Sequence, residues 1–345
     1  MAAEFIASRS SILPVQTSEK NTVAQFALRH TAFSNYSLQW LTNYSKERVH
    51  LDNYVLPGYF PIIGRKGLYF VNKRDGYFPV CYHPNLSGRL LIFPPVGSAH
   101  SISDYLHTLN PWPENGVQLA RIPVAEQESI FYTLAREWDI IPIQESILDW
   151  GRYPVRSLKV EEMALREGKQ FINHRRKYNY VSKRIKGLEI TESWDSGKDE
   201  KFEKFIYRWA QQKYVHNEGF SLDDYVSPYL KILSIHSNPN IRSVCLLFEN
   251  SLDEITGAVI IEVSDGIAST YMNVAIDEIS HFPGYMLMKT CEFLHASNLA
   301  KVLCLGGSEQ AGLDKFKSDL QSYSDRTDSR LSYHLCSFLV KPRLA

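Results

Sequence analysis

The stretch LCLGGSEQAGLDKFKSDL, residues 303–320, combines the features that decide how the C-terminal part of the chain folds. An apolar run typical of a strand ends in Gly306 and Gly307, and a short amphipathic segment carrying Phe316 and Lys317 follows. Glycine after a strand permits close backbone approach to a ligand, and amides exposed at a helix start favour an anion. The same pattern also fits a plain turn, with Phe316 in the core and Lys317 on the surface.

Outward from this stretch, the second half of the chain alternates helices with strands. Apolar spacing predicts helices over residues 201–215 and 285–296, and strands over 242–248, 254–263, 267–274, 300–305 and 333–340. The first half shows the same order, from a helix predicted over residues 19–46 through strands that begin at residue 59 to a strand that ends near residue 143, although the two halves share little sequence. The repeat predicts an α/β fold of the α+β type, in which each half is a mixed sheet flanked by helices.

Length and composition favour a two-domain globular protein. The 345 residues are 44% hydrophobic and 22% charged, and either half is long enough to bury a core. We expect an N-terminal domain over residues 1–155, a connecting segment over 156–199 and a C-terminal domain over 200–345. Because the formal net charge is zero, a polyanion has to be held by a local basic patch.

The cysteines and the apolar runs indicate a cytoplasmic protein. Five cysteines form an odd set without a C-x-x-C pair, which favours a reducing compartment and gives no zinc spacing, so we expect no metal site. The N-terminus does not resemble a signal peptide. No apolar run approaches the roughly 20 residues needed to cross a bilayer.

Residues 166–187 form a basic segment with eight Lys or Arg residues and one acid. Four apolar side chains recur on one helix face: Phe171, Tyr178, Val181 and Ile185. One interpretation is a solvated helix that docks by this stripe. The other is an anion-binding helix that contacts phosphates through Arg175, Arg176 and Lys183. Both can hold together, because one face packs while the other binds.

Two motifs resemble a known family. A strand, then L-G-G-S-E, then G-L-x-x-F-K resembles the tandem GNAT-like family, which includes the soluble catalytic part of phosphatidylglycerol lysyltransferases and the Fem-type aminoacyltransferases. Residues 147–184, which contain G-K-x-F-x-x-x-R-R, resemble the inter-domain segment of that family. The resemblance spans roughly residues 56–317 and implies two tandem GNAT-like domains with a cleft near their junction.

The resemblance also implies an activity. Members of the family often take an aminoacyl group from a charged tRNA and pass it to an amine or a hydroxyl. Phe316 and Lys317 match a pair linked to catalysis in Fem-type enzymes, so Lys317 would hold the tetrahedral oxyanion or a phosphate of the tRNA 3′ end. Glu309 is a candidate proton acceptor for an attacking amine, or it orients a ligand.

Further candidate ligands of the substrate lie on the strand before this site and in the turn. Tyr271 and Asn273 lie on the strand that faces the cleft in GNAT-like folds, although ordinary strand alternation also explains them. The turn supplies Gly306, Gly307 and Ser308. Because residues 306–310 do not match G-x-S-x-G, Ser308 is a poor candidate for a hydrolase nucleophile.

The main functional hypothesis is an aminoacyltransferase that needs no cofactor. Its partners are aminoacyl-tRNA and a small soluble or peptide acceptor, as in the tailoring of a natural product or a cell-wall precursor. The chain lacks the membrane domain of the lipid-directed members, which favours a soluble acceptor. Where a GNAT cradles CoA with Q/R-x-x-G-x-G/A, this chain has EISHFPGYML at residues 278–287. Two alternatives stay open: an acyl-CoA-dependent N-acyltransferase with a degenerate CoA loop, and a binding module that has kept the fold and lost the chemistry.

Overall fold

The structure is a computed structural model, and it describes most of the chain from residue 69 onward. The described ranges are residues 69–82, 88–143, 153–185, 187–191, 196–214, 241–276, 279–308 and 310–343. Single positions from 44 to 48 and from 222 to 233 are described as well. Glu309 lies outside the described residues.

Fourteen strands are present within the described ranges. They are β1 (Tyr69–Lys73), β2 (Gly76–Tyr82), β3 (Leu90–Ile92), β4 (Val96–Gly97), β5 (Val117–Pro123), β6 (Trp138–Pro142), β7 (Val155–Lys159), β8 (Gly187–Thr191), β9 (Ser243–Glu249), β10 (Ile255–Ser264), β11 (Ile267–Ala275), β12 (Val302–Gly306), β13 (Ser332–Tyr333) and β14 (Leu335–Pro342).

Eight α-helices accompany these strands in the same ranges. They are α1 (His100–Leu106), α2 (Val124–Leu134), α3 (Val160–Leu165), α4 (Ile172–Ser182), α5 (Asp199–Tyr214), α6 (Phe282–Ala296), α7 (Ala311–Leu320) and α8 (Tyr323–Thr327). The basic segment contributes α4, and a short 3₁₀ turn, Lys169–Phe171, precedes it.

The strands form two seven-stranded mixed sheets with similar connectivity. The first has the order β1-β2-β3-β5-β14-β6, with β4 paired to β2, and the second has the order β13-β7-β12-β11-β10-β9-β8. Each contains one parallel pair, β3 with β5 and β11 with β12, among antiparallel neighbours. The predicted fold class, two mixed sheets flanked by helices, is confirmed.

The C-terminal end of the chain completes the first sheet. The C-terminal strand β14 inserts between β5 and β6 of the first sheet, antiparallel to both. Strand β7, which follows the first half, inserts between β12 and β13 of the second sheet. Phe338 and Val340 of β14 are therefore buried in the core of the first sheet. The first sheet is therefore built from two separate parts of the sequence, residues 69–142 and residues 335–342, whereas the strands of the second sheet all lie within residues 155–333.

The boundaries at residues 155 and 200 stay predictions. Sheet membership alone does not say where an independently folding unit ends. It does show that residues 155–159 join the second sheet and residues 335–342 join the first. Because β14 completes the first sheet, that sheet depends on the C-terminal end of the chain.

Two apolar clusters hold the second sheet. Helices α3, α4 and α6 cover one face, where the stripe predicted for α4 is present: Phe171 and Val181 are buried, and Tyr178 and Ile185 pack against the cluster. On the other face, the side chains of α5 join a cluster that also includes residues of the first sheet. Strand β10 is buried along nearly its whole length, as expected for a central strand covered on both faces.

Candidate functional site

The turn after β12 lies where two parallel strands separate. β11 and β12 pair only as far as Ser269 and Cys304, although β11 continues to Ala275. β12 ends at Gly306, whose φ of 71° lies in the left-handed region that favours glycine. Gly307 and Ser308 then lead towards α7. The strand ends therefore open a gap next to the Gly-Gly turn.

Lys317 is held by this turn. Its side chain is 8% exposed, and its Nζ donates to the carbonyl oxygen of Gly306 at 3.2 Å and to that of Gly307. The carbonyl dipoles compensate for part of the cost of burying the ammonium. The cation thus lies at the turn itself and away from the outer surface. A fixed positive charge in such a place can stabilise negative charge that develops on a bound substrate.

Phe316 links α7 to the start of α6. Its ring packs against the second-sheet core, and its Cε2 lies 3.7 Å from the position of a Cβ on Gly284. A Cβ at position 284 would thus be in ordinary van der Waals contact with the ring. Phe316 is a half-buried packing residue that helps to place Lys317 and its helix.

The other predicted substrate ligands lie on β11 and directly after the Gly-Gly turn. The Nδ2 of Asn273 donates to the carbonyl oxygen of Pro283 at 3.4 Å, which joins the end of β11 to the first turn of α6. Ser308 follows the turn and is only 1% exposed, and neither its Oγ nor the Oδ1 of Asn273, both buried, has a hydrogen-bond partner among the described residues. Tyr271 is buried in the cluster that joins the two sheets.

A buried polar network anchors helix α7 to strand β7. The Nε and Nη2 of Arg156 donate to the two carboxylate oxygens of Asp314 at 2.7 and 3.1 Å, and its Nη1 donates to the Oε1 of Gln321 at 2.9 Å. The Nε2 of Gln321 donates to the carbonyl oxygens of Ser157 and Leu331. Sequence reasoning missed this network, because its members are up to 165 positions apart.

The basic helix α4 lies against α6 and α7. Tyr178 packs on Tyr285 with ring centroids 5.0 Å apart, and the Nε2 of His174 lies 3.0 Å from the carbonyl oxygen of Asp319. Because a carbonyl oxygen can only accept a hydrogen bond, Nε2 is the donor, and burial lowers the pKa of His174, which favours the neutral ring. Helix α4 therefore lies next to the helix that carries the catalytic candidate.

The three predicted phosphate ligands on this helix differ in availability. The Nη1 of Arg175 donates to the carbonyl oxygens of Arg166 and Gly168, so this guanidinium is committed to the preceding backbone. Arg176 and Lys183 are exposed. No described residue forms a hydrogen bond or ion pair with either side chain, which leaves both available to a ligand.

A cavity of about 260 Å³ lies elsewhere on the second sheet. Its lining residues are Ser157, Lys159, Ile267, Val302, Cys304, Asp328, Arg330, Leu331 and Tyr333. They include the starts of β11 and β12, whereas the Gly-Gly turn lies at the end of β12. None of the predicted site residues lines this cavity.

Metal and thiol chemistry find no support in the described part of the chain. The described residues contain no group of three His, Cys, Asp or Glu side chains that could hold a metal ion. None of the five cysteines, all of which lie in the described ranges, forms a disulfide, and burial raises the pKa of Cys245 and of Cys291, which makes these thiols poor nucleophiles. No described helix has the length and apolarity needed to cross a membrane.

No protein-family model matches the chain, and no curated protein matches its sequence. Solved structures do match its fold. A conserved protein of unknown function from Bacteroides thetaiotaomicron VPI-5482 has a TM-score of 0.61 at 12% identity, covering 95% of this chain and 100% of that one. L-PGS from Bacillus licheniformis has a TM-score of 0.57 at 12% identity, covering 90% and 93%. FemX has a TM-score of 0.54 at 11% identity, covering 93% and 96%.

These identities are too low to say more than how the chain folds. L-PGS and FemX belong to the family that the Gly-Gly and Phe-Lys motifs resemble. The chain therefore has a tandem GNAT-like fold, and the predicted resemblance to lysyltransferase and Fem-type proteins is confirmed at the level of the fold.

Proposed function

We propose that the protein is an acyltransferase that moves an aminoacyl group from aminoacyl-tRNA to an amine or hydroxyl of a small soluble acceptor or peptide. The observation that carries this proposal is the buried ammonium of Lys317, held at the Gly-Gly turn where β11 and β12 separate. The fold shared with FemX and L-PGS adds support. Five free cysteines suit a reducing compartment such as the cytoplasm.

The reaction needs no nucleophile from the protein. The lone pair of the acceptor attacks the carbonyl carbon of the aminoacyl ester, and the carbonyl π electrons move to the oxygen. The ammonium of Lys317 stabilises this oxyanion, whose negative charge is greatest in the transition state. The intermediate then expels the ribose oxygen of the tRNA 3′ end, which takes up the proton that the acceptor loses.

The basic helix α4 supplies the contact with RNA in this proposal. Arg176 and Lys183 are exposed and unpaired among the described residues, and α4 touches α7 through His174 and Asp319. Phosphates bound on α4 would therefore lie next to the helix that carries Lys317. Because such contacts release counterions, binding of tRNA should weaken steeply with added salt.

Acyl-CoA is a less suitable donor at this site. A CoA pyrophosphate needs backbone N–H groups at the start of the helix that follows β11. Here that helix, α6, has Pro283 in its first turn, which has no N–H to donate to a pyrophosphate. This local chemistry supports the tRNA-dependent reaction over the acyl-CoA-dependent alternative.

The test compares Lys317→Ala and Lys317→Met with a control, Lys315→Ala. Lys315 lies on the same helix, exposed and paired only with Asp319. Transfer is measured from a panel of radiolabelled aminoacyl-tRNAs, and separately from acyl-CoA, to a panel of amines and peptides. We expect both Lys317 variants to remain folded and to lose at least about tenfold in turnover, with the control unchanged.

The outcomes separate the hypotheses. Unchanged turnover in Lys317→Met removes the catalytic assignment. Activity that resists RNase and requires acyl-CoA supports the alternative donor. Ligand binding without turnover from any donor supports a binding module.

A further inference from the structure

Four cations and one aromatic ring form a single exposed stripe along the basic helix. At roughly 100° per residue, five positions of this segment fall within about a third of the helix circumference. They are Arg176, Lys177, Tyr180, Lys183 and Arg184, and all five are exposed. The helical turn continues past the end of α4, because the N–H of Ile185 donates to the carbonyl oxygen of Val181. Tyr180 therefore lies in the middle of the stripe, on the side away from the apolar face that packs in the core.

The positive charge of this stripe has no acidic partner in the described part of the chain. No described residue forms an ion pair with any of its four cations, and α4 itself contains no Asp or Glu. Lysine and arginine side chains on one exposed face neutralise the phosphates of a nucleic acid. The stripe thus has the charge that an RNA backbone requires.

Tyr180 adds a flat stacking surface to the cations. The guanidinium of Arg184 lies over the Tyr180 ring, 3.7 Å from its centroid, and the Nη1 of Arg184 donates to the carbonyl oxygen of Tyr180 at 2.7 Å. Tyr180 nevertheless stays 42% exposed. Nucleobases stack on aromatic rings and on guanidinium planes. Because a duplex hides the faces of its bases, unpaired nucleotides are the ones that can use such a surface.

A membrane surface fits this stripe less well than RNA does. A helix that binds a bilayer buries a band of apolar side chains in the interface, with cations at its edges. Between residues 176 and 184, all of them described, Tyr180 is the one exposed aromatic or aliphatic side chain. The buried apolar side chains of this helix, Val181 among them, pack inside the protein instead.

Contacts at the start of α6 connect Tyr180 to the helix of Lys317. The Tyr180 ring lies edge-on to the ring of His281, with centroids 6.4 Å apart, and His281 directly precedes α6. In the first turn of α6, Gly284 lies next to Phe316, the neighbour of Lys317 on α7. A nucleotide on Tyr180 would therefore lie beside the start of α6, between the basic stripe and the candidate catalytic helix.

We propose that Tyr180 and Arg184 stack an unpaired nucleotide near the 3′ end of the aminoacyl-tRNA. The remaining cations of the stripe, Arg176, Lys177 and Lys183, hold the adjoining phosphates. This inference rests on the proposed function and deepens it, because it assigns the part of the RNA that the basic helix recognises.

The experiment measures RNA binding, so that it does not depend on turnover. One probe is an RNA hairpin with a short unpaired 3′ tail that carries 2-aminopurine, and the other is the same hairpin without the tail. The variants are Tyr180→Leu and Tyr180→Trp. The matched control is Tyr132→Leu, because Tyr132 on α2 is 69% exposed and carries a similar stack, with the guanidinium of Arg136 4.8 Å from its ring centroid.

We expect the tail to strengthen binding to the wild type at least about fivefold, and the 2-aminopurine fluorescence to be quenched by stacking. Tyr180→Leu should remove both effects and keep the affinity for the hairpin without the tail. Tyr180→Trp and Tyr132→Leu should keep both effects. Denaturation curves verify that the variants are folded.

The outcomes separate this inference from the proposed function. Absence of a tail effect in the wild type, or an equal tail effect in Tyr180→Leu, overturns the inference even if transfer from tRNA is found. Binding to vesicles of anionic phospholipid without binding to either RNA also overturns it and indicates a membrane surface. A tail effect that depends on Tyr180, in a protein that transfers nothing from aminoacyl-tRNA, refutes the proposed function and leaves the RNA site standing.

Discussion

Replacing Arg156 with methionine tests how the helix of Lys317 is held in place. The substitution keeps an apolar stem and removes the guanidinium that contacts Asp314 and Gln321. The two ionic side chains are 11% and 17% exposed, so water screens the pair only weakly. The carboxylate of Asp314 would be left largely buried without its partner.

The expected loss follows from this burial. Removing one partner of a buried ion pair costs about 3–5 kcal/mol, and the residual exposure of Asp314 favours the lower end, about 3 kcal/mol. Gln321 adds little, because its Oε1 also accepts from the Oγ of Ser332 at 3.2 Å. We therefore expect Arg156→Met to lower the free energy of unfolding by about 3 kcal/mol.

Urea denaturation followed by far-UV circular dichroism measures this loss as a lower midpoint with an unchanged slope. The matched control is Lys315→Met on the same helix, whose ion pair with Asp319 has side chains 75% and 47% exposed. It should change stability by less than about 0.5 kcal/mol. A double-mutant cycle with Asp314→Asn isolates the pair. If Arg156→Met matches the control, the anchoring argument is wrong.

Three further predictions concern other parts of the chain. Phe338→Ala, in the last strand, should lower the free energy of unfolding by about 3–5 kcal/mol and speed amide hydrogen exchange in the first sheet. Faster hydrogen exchange confined to the C-terminal half would contradict the insertion of β14 into the first sheet. Because burial lowers the pKa of His174, the folded protein binds a proton less readily than the unfolded chain. The free energy of unfolding should thus fall as the pH drops below about 6.5, and it should fall less in His174→Gln. Equal pH profiles of the variant and the wild type would refute this. The double variant Arg176→Gln/Lys183→Gln should make the slope of log K for tRNA binding against log salt concentration shallower by about 1.5. The control Lys201→Gln, at an exposed position, should leave that slope unchanged. An unchanged slope in the double variant would exclude these phosphate contacts.

Local pattern in the sequence was enough to predict most of the elements that carry the candidate site. The strand predicted over residues 267–274 is β11, Ile267–Ala275, and the apolar stripe of α4 packs as its spacing requires. The Gly-Gly turn and the Phe-Lys pair lie only ten positions apart in the chain, so their proximity also followed from local order. The roles assigned to these residues stay predictions, as does that of Glu309.

The sequence could not show which groups each side chain would meet. Arg175 is indistinguishable from Arg176 by composition, yet only the fold commits Arg175 to the carbonyl oxygens of the preceding turn. Likewise, no local sequence pattern predicts that the Oγ of Ser308 is buried without a hydrogen-bond partner among the described residues. These facts depend on packing between elements.

Hydrophobic periodicity in the sequence was sufficient to predict where most of these helices and strands form and which of their faces are buried, because periodicity is a local property. The three-dimensional fold was needed to show that β14 joins the first sheet and that Arg156 meets Asp314, 158 positions away. Strand partners and ion pairs are chosen by non-local contacts, and the apolar alternation of a strand is the same whichever sheet it joins.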